Sequence, residues 1–102
     1  MQKYDLIGDF SEGLAPVILN GKCGYIDKTG NIVIPFKYQW TRSFSEGLGA
    51  VKLDNQWGFI DKTGKEVIMC EYNWADDFSD GMARVKISHR RMVIDKTGKP
   101  LN

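Results

Sequence analysis

Short stretches of the chain alternate between apolar and other residues, which predicts β-strands. The alternating apolar positions are Ala15, Val17 and Leu19 in one stretch and Ala83, Val85 and Ile87 in another. A helix would instead space its apolar residues by three and four positions. Period two turns successive side chains to opposite faces, so Arg84 and Lys86 are predicted to lie on an outer face. The stretch with Trp57, Phe59 and Ile60 is apolar on both faces, as expected of a central strand.

This pattern recurs three times with a step of 34 residues. The step aligns Phe10 with Phe44 and Phe78, Tyr4 with Tyr38 and Tyr72, and the DKTG tetrapeptide that begins at Asp27, Asp61 and Asp95. Self-similarity at a fixed period is the sequence signature of a repeat protein. We therefore predict a single domain, 1–102, made of three repeats at about 1–34, 35–68 and 69–102.

Each repeat is predicted to form a three-stranded antiparallel meander, which makes the fold all-β. In the first repeat the strands are LAPVILN, KCGYID and NIVIP. Asn20-Gly21 and Asp54-Asn55 can supply the two positive-φ residues of a tight hairpin turn, whereas Ser88-His89 suits that turn less well. The chain opens part-way through the repeat at Tyr4. The three tandem meanders therefore fit either an open array or a closed pseudo-three-fold arrangement.

Phenylalanine recurs just before a predicted glycine turn in every repeat. The phenylalanines are Phe10, Phe44 and Phe78, and the glycines are Gly13, Gly47 and Gly81. We expect each phenylalanine to plug the core beside its turn.

The DKTG tetrapeptide also opens the aspartyl-phosphate motif of ion-pumping ATPases, so its aspartate is a candidate nucleophile. That chemistry needs one aspartate beside Mg²⁺ and further carboxylates in a far larger domain, and three equivalent copies do not suit it. A turn explains the motif better, because aspartate accepts from a nearby backbone N–H and glycine takes the left-handed position. The predicted structural turn residues are Asp27, Gly30, Asp61, Gly64, Asp95 and Gly98.

The stretch FSEGLGAVKLDNQWGFIDKTGKEVI, at positions 44–68, resembles the bacterial WG repeat, also called the KWG repeat. The family pattern runs through an F-x-E-G-L-A-x-V strand, a W-G strand, a D-x-x-G turn and an I-V-I-P strand. The name-giving pair is Trp57-Gly58 in the second repeat, whereas the first has Cys23-Gly24 and the third has Arg91-Met92. The resemblance covers essentially the whole chain and implies a β-rich scaffold that binds other macromolecules.

Composition narrows the function classes. The chain has 14 basic and 13 acidic side chains and a net charge of +1, so the whole molecule has no strong field to steer nucleic acid or an anionic membrane. Cys23 and Cys70 match no metal or redox spacing and are expected to be reduced thiols. The sequence shows no basic leader with an apolar run and no membrane span, so we expect a cytoplasmic protein. We predict no cofactor, no metal site and no membrane partner.

Divergence of the third repeat supplies the candidate site. The stretch RVKISHRR, at 84–91, has four basic side chains and no acidic one, whereas PVILNGKC in the first repeat has a single charge. The predicted partner-binding residues are Trp57, Arg84, Lys86, His89, Arg90 and Arg91. A solvated edge strand explains the basic charges equally well, because lysine and arginine deter sheet-to-sheet pairing. His89 is expected at a solvated hairpin tip, without a catalytic partner identifiable by spacing.

Aromatic residues are a second candidate surface, since they can stack on bases or form interaction hot spots. They are Trp40, Trp57, Trp74, Tyr4, Tyr38 and Tyr72. Because these residues recur at fixed phases of the repeat, packing in the core or between repeats is the favoured interpretation. The equivalents of Trp57 are Cys23 and Arg91, so at least one copy of this position is expected to face solvent or a groove.

These patterns together predict a non-enzymatic interaction module that binds a protein partner, without catalytic residues. A stoichiometric inhibitor or immunity-type protein is one form of that function. A nucleic-acid or nucleotide binder that uses the basic 84–91 tip is an alternative, and a structural part of a longer WG-repeat array is another. Exposed strand edges would also allow self-association.

Overall fold

In the computed structural model, which describes residues 4–101, this part of the chain forms eleven β-strands and no helix. The strands are β1 (Leu6–Ile7), β2 (Leu14–Leu19), β3 (Lys22–Asp27), β4 (Ile32–Tyr38), β5 (Trp40–Thr41), β6 (Gly49–Leu53), β7 (Gln56–Ile60), β8 (Glu66–Tyr72), β9 (Trp74–Ala75), β10 (Met82–Ile87) and β11 (Arg90–Asp95). The all-β prediction is confirmed. The predicted repeat boundaries include residues 1–3 and 102, which lie outside the described residues.

The strands form three antiparallel sheets, one for each repeat. Their strand orders are β1-β2-β3-β4, β5-β6-β7-β8 and β9-β10-β11. The predicted meander is β2-β3-β4 in the first sheet and β6-β7-β8 in the second. Each sheet also has a short edge strand, namely β1, β5 or β9, and two residues are too few to show an alternation in the sequence. In the third sheet, a bridge between Ile94 and Pro100 stands where β4 and β8 pair in the other two.

The hairpin turns form where the sequence supplies residues that tolerate positive φ. Asn20 and Gly21 have φ values of 53° and 80°, and Asp54 and Asn55 have values of 52° and 66°. Two successive positive values define the type I′ turn, whose twist matches that of the flanking strands. The predicted turns at these two hairpins are confirmed.

The three sheets stack face to face, and the core lies between them. One buried cluster joins the first sheet to the second and includes Tyr25 and Val51. Another joins the second sheet to the third and includes Phe59 and Val85. The molecule measures 47 × 24 × 19 Å along its principal axes. The repeats therefore form an open array and not a closed three-fold ring.

A phenylalanine from each following repeat packs on an aromatic ring of the preceding sheet. Phe44 packs on Tyr25 with ring centroids 4.8 Å apart, and Phe78 packs on Phe59 at 4.7 Å. Both phenylalanines are 1% exposed, whereas Phe10 is 44% exposed. The prediction that Phe10 plugs the core is therefore wrong. A phenylalanine at this position is buried only when a preceding sheet covers it. Among the described residues, no sheet precedes the first one.

Serine side chains also connect the repeats. The Ser11 hydroxyl donates a hydrogen bond to the Phe44 carbonyl, and the Ser45 hydroxyl donates to the Phe78 carbonyl, both at 2.7 Å. Each bond crosses to the following repeat at the same position. The stacking is therefore specified by directed polar contacts as well as by apolar burial.

Glutamates add a second polar connection. The Glu12 carboxylate accepts from the Gly47 N–H at 2.9 Å, and the Glu46 carboxylate accepts from the Gly81 N–H at 2.8 Å. Lysines of the following repeat approach the same carboxylates, with Lys62 3.7 Å from Glu12 and Lys96 3.9 Å from Glu46. The aligned residues of successive repeats therefore make the same contacts at both internal interfaces.

Candidate functional site

Strand pairing decides which side chains of the third repeat share a face. Directly opposed residues of an antiparallel sheet lie on the same face. Arg84 is opposite Val93, and Lys86 is opposite Arg91, so these four side chains share one face. Ala83 lies on the other face and belongs to the cluster against the second sheet. The face with Arg84 and Arg91 therefore points away from the rest of the array.

A groove of about 500 Å³ lies beside this face. Its lining consists of Trp74, Asp76, Arg84, Val85, Lys86, Arg91, Met92 and Val93. Aliphatic and aromatic carbon is thus placed next to three cationic side chains. A groove of this composition can take an apolar side chain with an acidic group beside it.

The equivalent face is covered by the next repeat in both preceding units. Tyr25 and Phe59 occupy the position of Val93, and each is 0% exposed. Cys23 and Trp57 occupy the position of Arg91 and are 2% and 5% exposed. Arg91 itself is exposed. The third repeat thus carries basic residues on a face that the other two repeats use for stacking.

The charges on this face are not balanced among themselves. Lys86 and Arg91 are directly opposed, and like charges in that relation destabilise a sheet. Arg84 has a local partner, since its guanidinium lies 3.2 Å from the Asp76 carboxylate, although its side chain is 83% exposed. An acidic group bound near Lys86 and Arg91 would relieve their repulsion.

The structure brings only part of the predicted site together. Three of the predicted partner-binding residues line the groove: Arg84, Lys86 and Arg91. His89 and Arg90 are exposed at the β10–β11 hairpin tip, outside this lining. Trp57 belongs to the core between the second and third sheets and offers no surface to a partner. We therefore leave Trp57 out of the site.

Arg42 adds to the cover that the third sheet places over Trp57. Its guanidinium lies 4.4 Å from the ring centroid of Trp57 and 4.6 Å from that of Trp74, so it is placed for cation–π contact with both. The same guanidinium donates to the Ala75 carbonyl and lies 3.4 Å from the Asp77 carboxylate. These contacts hold Trp74 beside the groove.

The sequence pattern did not assign Trp74, Met92 or Val93 to the site. Trp74 is 47% exposed and lines the groove, although its recurrence at the phase of Trp40 favoured packing. Val93 aligns with the buried Tyr25, so a search for aligned positions that lose an aromatic ring would have identified it. This loss can be interpreted only when it is known which face of each sheet the next repeat covers.

The DKTG motif forms the same turn in all three repeats. One carboxylate oxygen of Asp61 accepts from the Thr63 N–H at 2.9 Å, the Thr63 hydroxyl at 2.6 Å and the Lys65 N–H at 3.1 Å. Gly64 has a φ of 91°, and its N–H donates to the Asp61 carbonyl at 3.0 Å. The hydroxyl bond from Thr63 holds the pKa of Asp61 below its ordinary value. The carboxylate is thus engaged as a turn acceptor, and the same holds for Asp27 and Asp95.

This turn predicts an acid-dependent contribution to stability. A carboxylate whose pKa is lowered by folding stabilises the protein above its unfolded pKa of about 3.9, and this contribution is lost as the pH falls through the folded value. We expect Asp61→Asn to lower the urea midpoint modestly at neutral pH and the difference from the parent to shrink below about pH 4. Asp54→Asn, at a hairpin tip, is the control and should leave the midpoint nearly unchanged. Equal midpoints of Asp61→Asn and the parent at neutral pH would contradict this role.

The two cysteines are free thiols, with Cys23 buried and Cys70 half-buried. Burial raises the pKa of Cys70 to about 11. The Cys70 thiol is therefore protonated at neutral pH and is a poor nucleophile.

Residues 4–101 contain neither a candidate metal-binding cluster nor a candidate membrane-spanning helix. In this part of the chain, no group of three or more histidine, cysteine, aspartate or glutamate side chains is placed to hold a metal ion. The same residues contain no helix that is long and apolar enough to cross a membrane.

Three stacked meanders with repeated inter-unit contacts define a tandem β-repeat protein. A family model of the WG containing repeat matches residues 3–23, 24–57 and 57–88. The chain belongs to this WG repeat family, as the resemblance implied. No curated protein and no solved structure matches it.

Proposed function

We propose that this WG repeat chain is a non-enzymatic module that holds a protein partner in the open groove of the third repeat. The observation that carries the proposal is the change of one face along the array. This face is buried in the first two repeats, whereas in the third it is exposed and bears Arg84, Lys86 and Arg91. Arginine and tryptophan are the residue types enriched at binding hot spots.

The lining of the groove indicates the chemistry of the partner. Val93 and the exposed part of Trp74 offer an apolar contact. Lys86 and Arg91 beside them favour acidic groups through charge complementarity, which raises the rate of association and excludes basic surfaces. The partner is therefore a protein surface with an apolar side chain flanked by carboxylates. A stoichiometric inhibitor or immunity-type protein would act in this way, by occupying the surface of a larger target.

Replacement of the basic residues tests the proposal. Arg84, Lys86, Arg90 and Arg91 are changed to serine in one variant of an immobilised chain that is used to capture partners. The matched control removes the same number of charges elsewhere, at the exposed residues Lys22, Lys37, Lys65 and Lys99. We expect recovery of the captured protein to fall about tenfold or more with the first variant and to persist with the control. Equal recovery with both variants, or no stoichiometric partner of the parent chain, would count against the groove.

A nucleic-acid or nucleotide ligand is the second candidate, because Trp74 beside the arginines suits a base stacked over phosphate contacts. A salt titration separates the two functions. If several phosphates are contacted, the affinity should fall by orders of magnitude between low and moderate salt. A protein partner held partly by apolar contact should lose far less.

A further inference from the structure

We propose that a second copy of the chain occupies this groove head to tail, with its first repeat stacked on the third repeat of the first copy. The proposal rests on the groove being a binding face, as in the proposed function, and names its occupant. It follows from the internal interfaces, because each end of the array leaves exposed some of the apolar and polar groups that the repeats use to contact one another.

The third repeat carries one half of this contact. Leu14 and Leu48 are 5% and 8% exposed beneath the following repeat, whereas Met82 at the same position is 45% exposed. Val93, at the position of the buried Tyr25, lines the open groove. In the internal interfaces, Phe44 and Phe78 pack against the residues that align with Met82 and Val93.

The first repeat carries only the margin of the other half, because Ala15, Val17 and Ile26, which align with residues that face the preceding sheet, are already covered by Tyr4 and Phe36. Phe10 aligns with Phe44 and Phe78 but is 44% exposed, and its neighbours Leu6 and Ile7 are 57% and 51% exposed. An apolar cluster of this kind matches the open part of the third repeat. Phe10 of a second copy would pack on Val93 as Phe78 packs on Phe59.

The polar contacts are divided between the two ends in the same way. Ser79 aligns with Ser11 and Ser45, whose hydroxyls donate to the phenylalanine carbonyl of the following repeat. Its hydroxyl would donate to the Phe10 carbonyl of the second copy. Asp80 aligns with Glu12 and Glu46 and is exposed.

The Asp80 carboxylate can therefore repeat the glutamate contact. In the internal interfaces this acid accepts from a glycine N–H and approaches a lysine of the following repeat. The corresponding groups of the second copy are the Gly13 N–H and the Lys28 ammonium. Aspartate is one methylene shorter than glutamate, so the two chains must approach closely for this contact.

Charge favours a head-to-tail arrangement over two grooves that face each other. Residues 4–12 carry Asp5 and Asp9 outside the internal interface and no basic side chain, whereas Glu12 is engaged with the second repeat. The groove carries Arg84, Lys86 and Arg91, so two grooves would oppose like charges, whereas the first repeat brings acids to them. A head-to-tail contact is heterologous, and such contacts extend into an open series unless the rotation closes a ring.

The contact is made by the face of the third sheet and not by its edge. A Cβ placed on Gly58 would lie 2.6 Å from the Ile68 carbonyl of β8, so this position allows the neighbouring strand to approach closely. The third repeat has Met92 there. A strand from another chain could not pair with β11 in the geometry of β8, which places self-association on the face with Arg91 and Val93.

The array is narrow, with short axes of 24 and 19 Å, so an end-to-end contact falls among the small protein interfaces. Such interfaces are weak, and the association should appear only at high concentration. The test is sedimentation velocity of the full chain from about 10 µM to about 1 mM, at low and moderate salt. We expect the average mass to rise with concentration beyond a dimer and to rise less at moderate salt.

Two variants block one end each at exposed positions. Phe10→Lys alters the first repeat and Met82→Lys alters the third, and circular dichroism confirms that both remain folded. Each variant alone should stay monomeric at every concentration. Their mixture should form a one-to-one dimer that does not extend, because each variant keeps the end that the other has lost. Leu6→Lys replaces Phe10→Lys if that variant does not fold.

The outcomes separate this proposal from the proposed function. A parent chain that is monomeric throughout, or a mixture that does not associate, overturns the second copy as the occupant. Self-association of Phe10→Lys alone would mean that two grooves face each other and would also overturn it. Capture of a different protein that is lost with the four-serine variant but kept by Phe10→Lys would leave the groove as a binding face for that protein instead.

Discussion

Replacing Gly58 with alanine is expected to destabilise the protein by about 3 kcal/mol, although it adds a single methyl group. The new Cβ would lie 2.6 Å from the Ile68 carbonyl oxygen and 2.7 Å from backbone atoms of Cys70. Those atoms belong to β8, where the pairing with β7 shifts register next to this glycine. Backbone cannot move aside as a flexible side chain can, so the cost falls on the strand pairing itself. Equilibrium urea unfolding of the parent and the variant measures it.

Met92→Ala is the matched control, because Met92 is the residue of the third repeat at this position. Met92 is partly buried, so truncation to alanine should cost about 1 kcal/mol. Gly58→Ala, which changes fewer atoms, is therefore expected to cost more stability than Met92→Ala. If Gly58→Ala proved no more damaging than Met92→Ala, the close approach of β8 to Gly58 would be refuted.

Phe78→Ala is expected to cost about 4 kcal/mol, whereas Phe10→Ala at the same position of the first repeat should cost less than about 1 kcal/mol. Phe78 is 1% exposed and packs on Phe59, so its removal leaves a cavity between the second and third sheets. Phe10 is 44% exposed and leaves none. The measurement is urea unfolding at low micromolar concentration, where self-association does not contribute.

The two substitutions are chemically identical and differ only in their place in the array. A similar loss of stability in both would mean that Phe10 is also enclosed between sheets, as in a closed ring. The comparison therefore tests the open arrangement as well as the packing of the aromatic pairs.

Much of the fold could be predicted because its determinants are local. The alternation from Ala83 to Ile87 and the positive-φ turn residues Asn20-Gly21 each act within a few positions of the chain, and the 34-residue step copies them. The short strands β1, β5 and β9 could not be predicted, since their pairing depends on the position at which the chain enters each sheet. The choice between array and ring depends on the angle between sheets, which no single stretch encodes.

The candidate site was predicted only in part for a related reason. Arg84, Lys86 and Arg91 were found because alternation puts them on one face. Trp57 is predicted at the surface because its aligned residues are dissimilar, but it is buried between the second and third sheets with Arg42 over its ring, and the residues aligned with Arg42 are Gly8 and Asp76. A contact made by a residue outside the repeat pattern leaves no periodic signal.

The central claim is that three sheets stack in an open series whose last face is uncovered. Small-angle X-ray scattering from a dilute, monomeric sample tests it most directly through the longest distance within the particle. An open series of three sheets predicts a value of at least the 47 Å of the long axis. A value of about 34 Å, the diameter of a near-spherical body with the radius of gyration usual for this chain length, would contradict it.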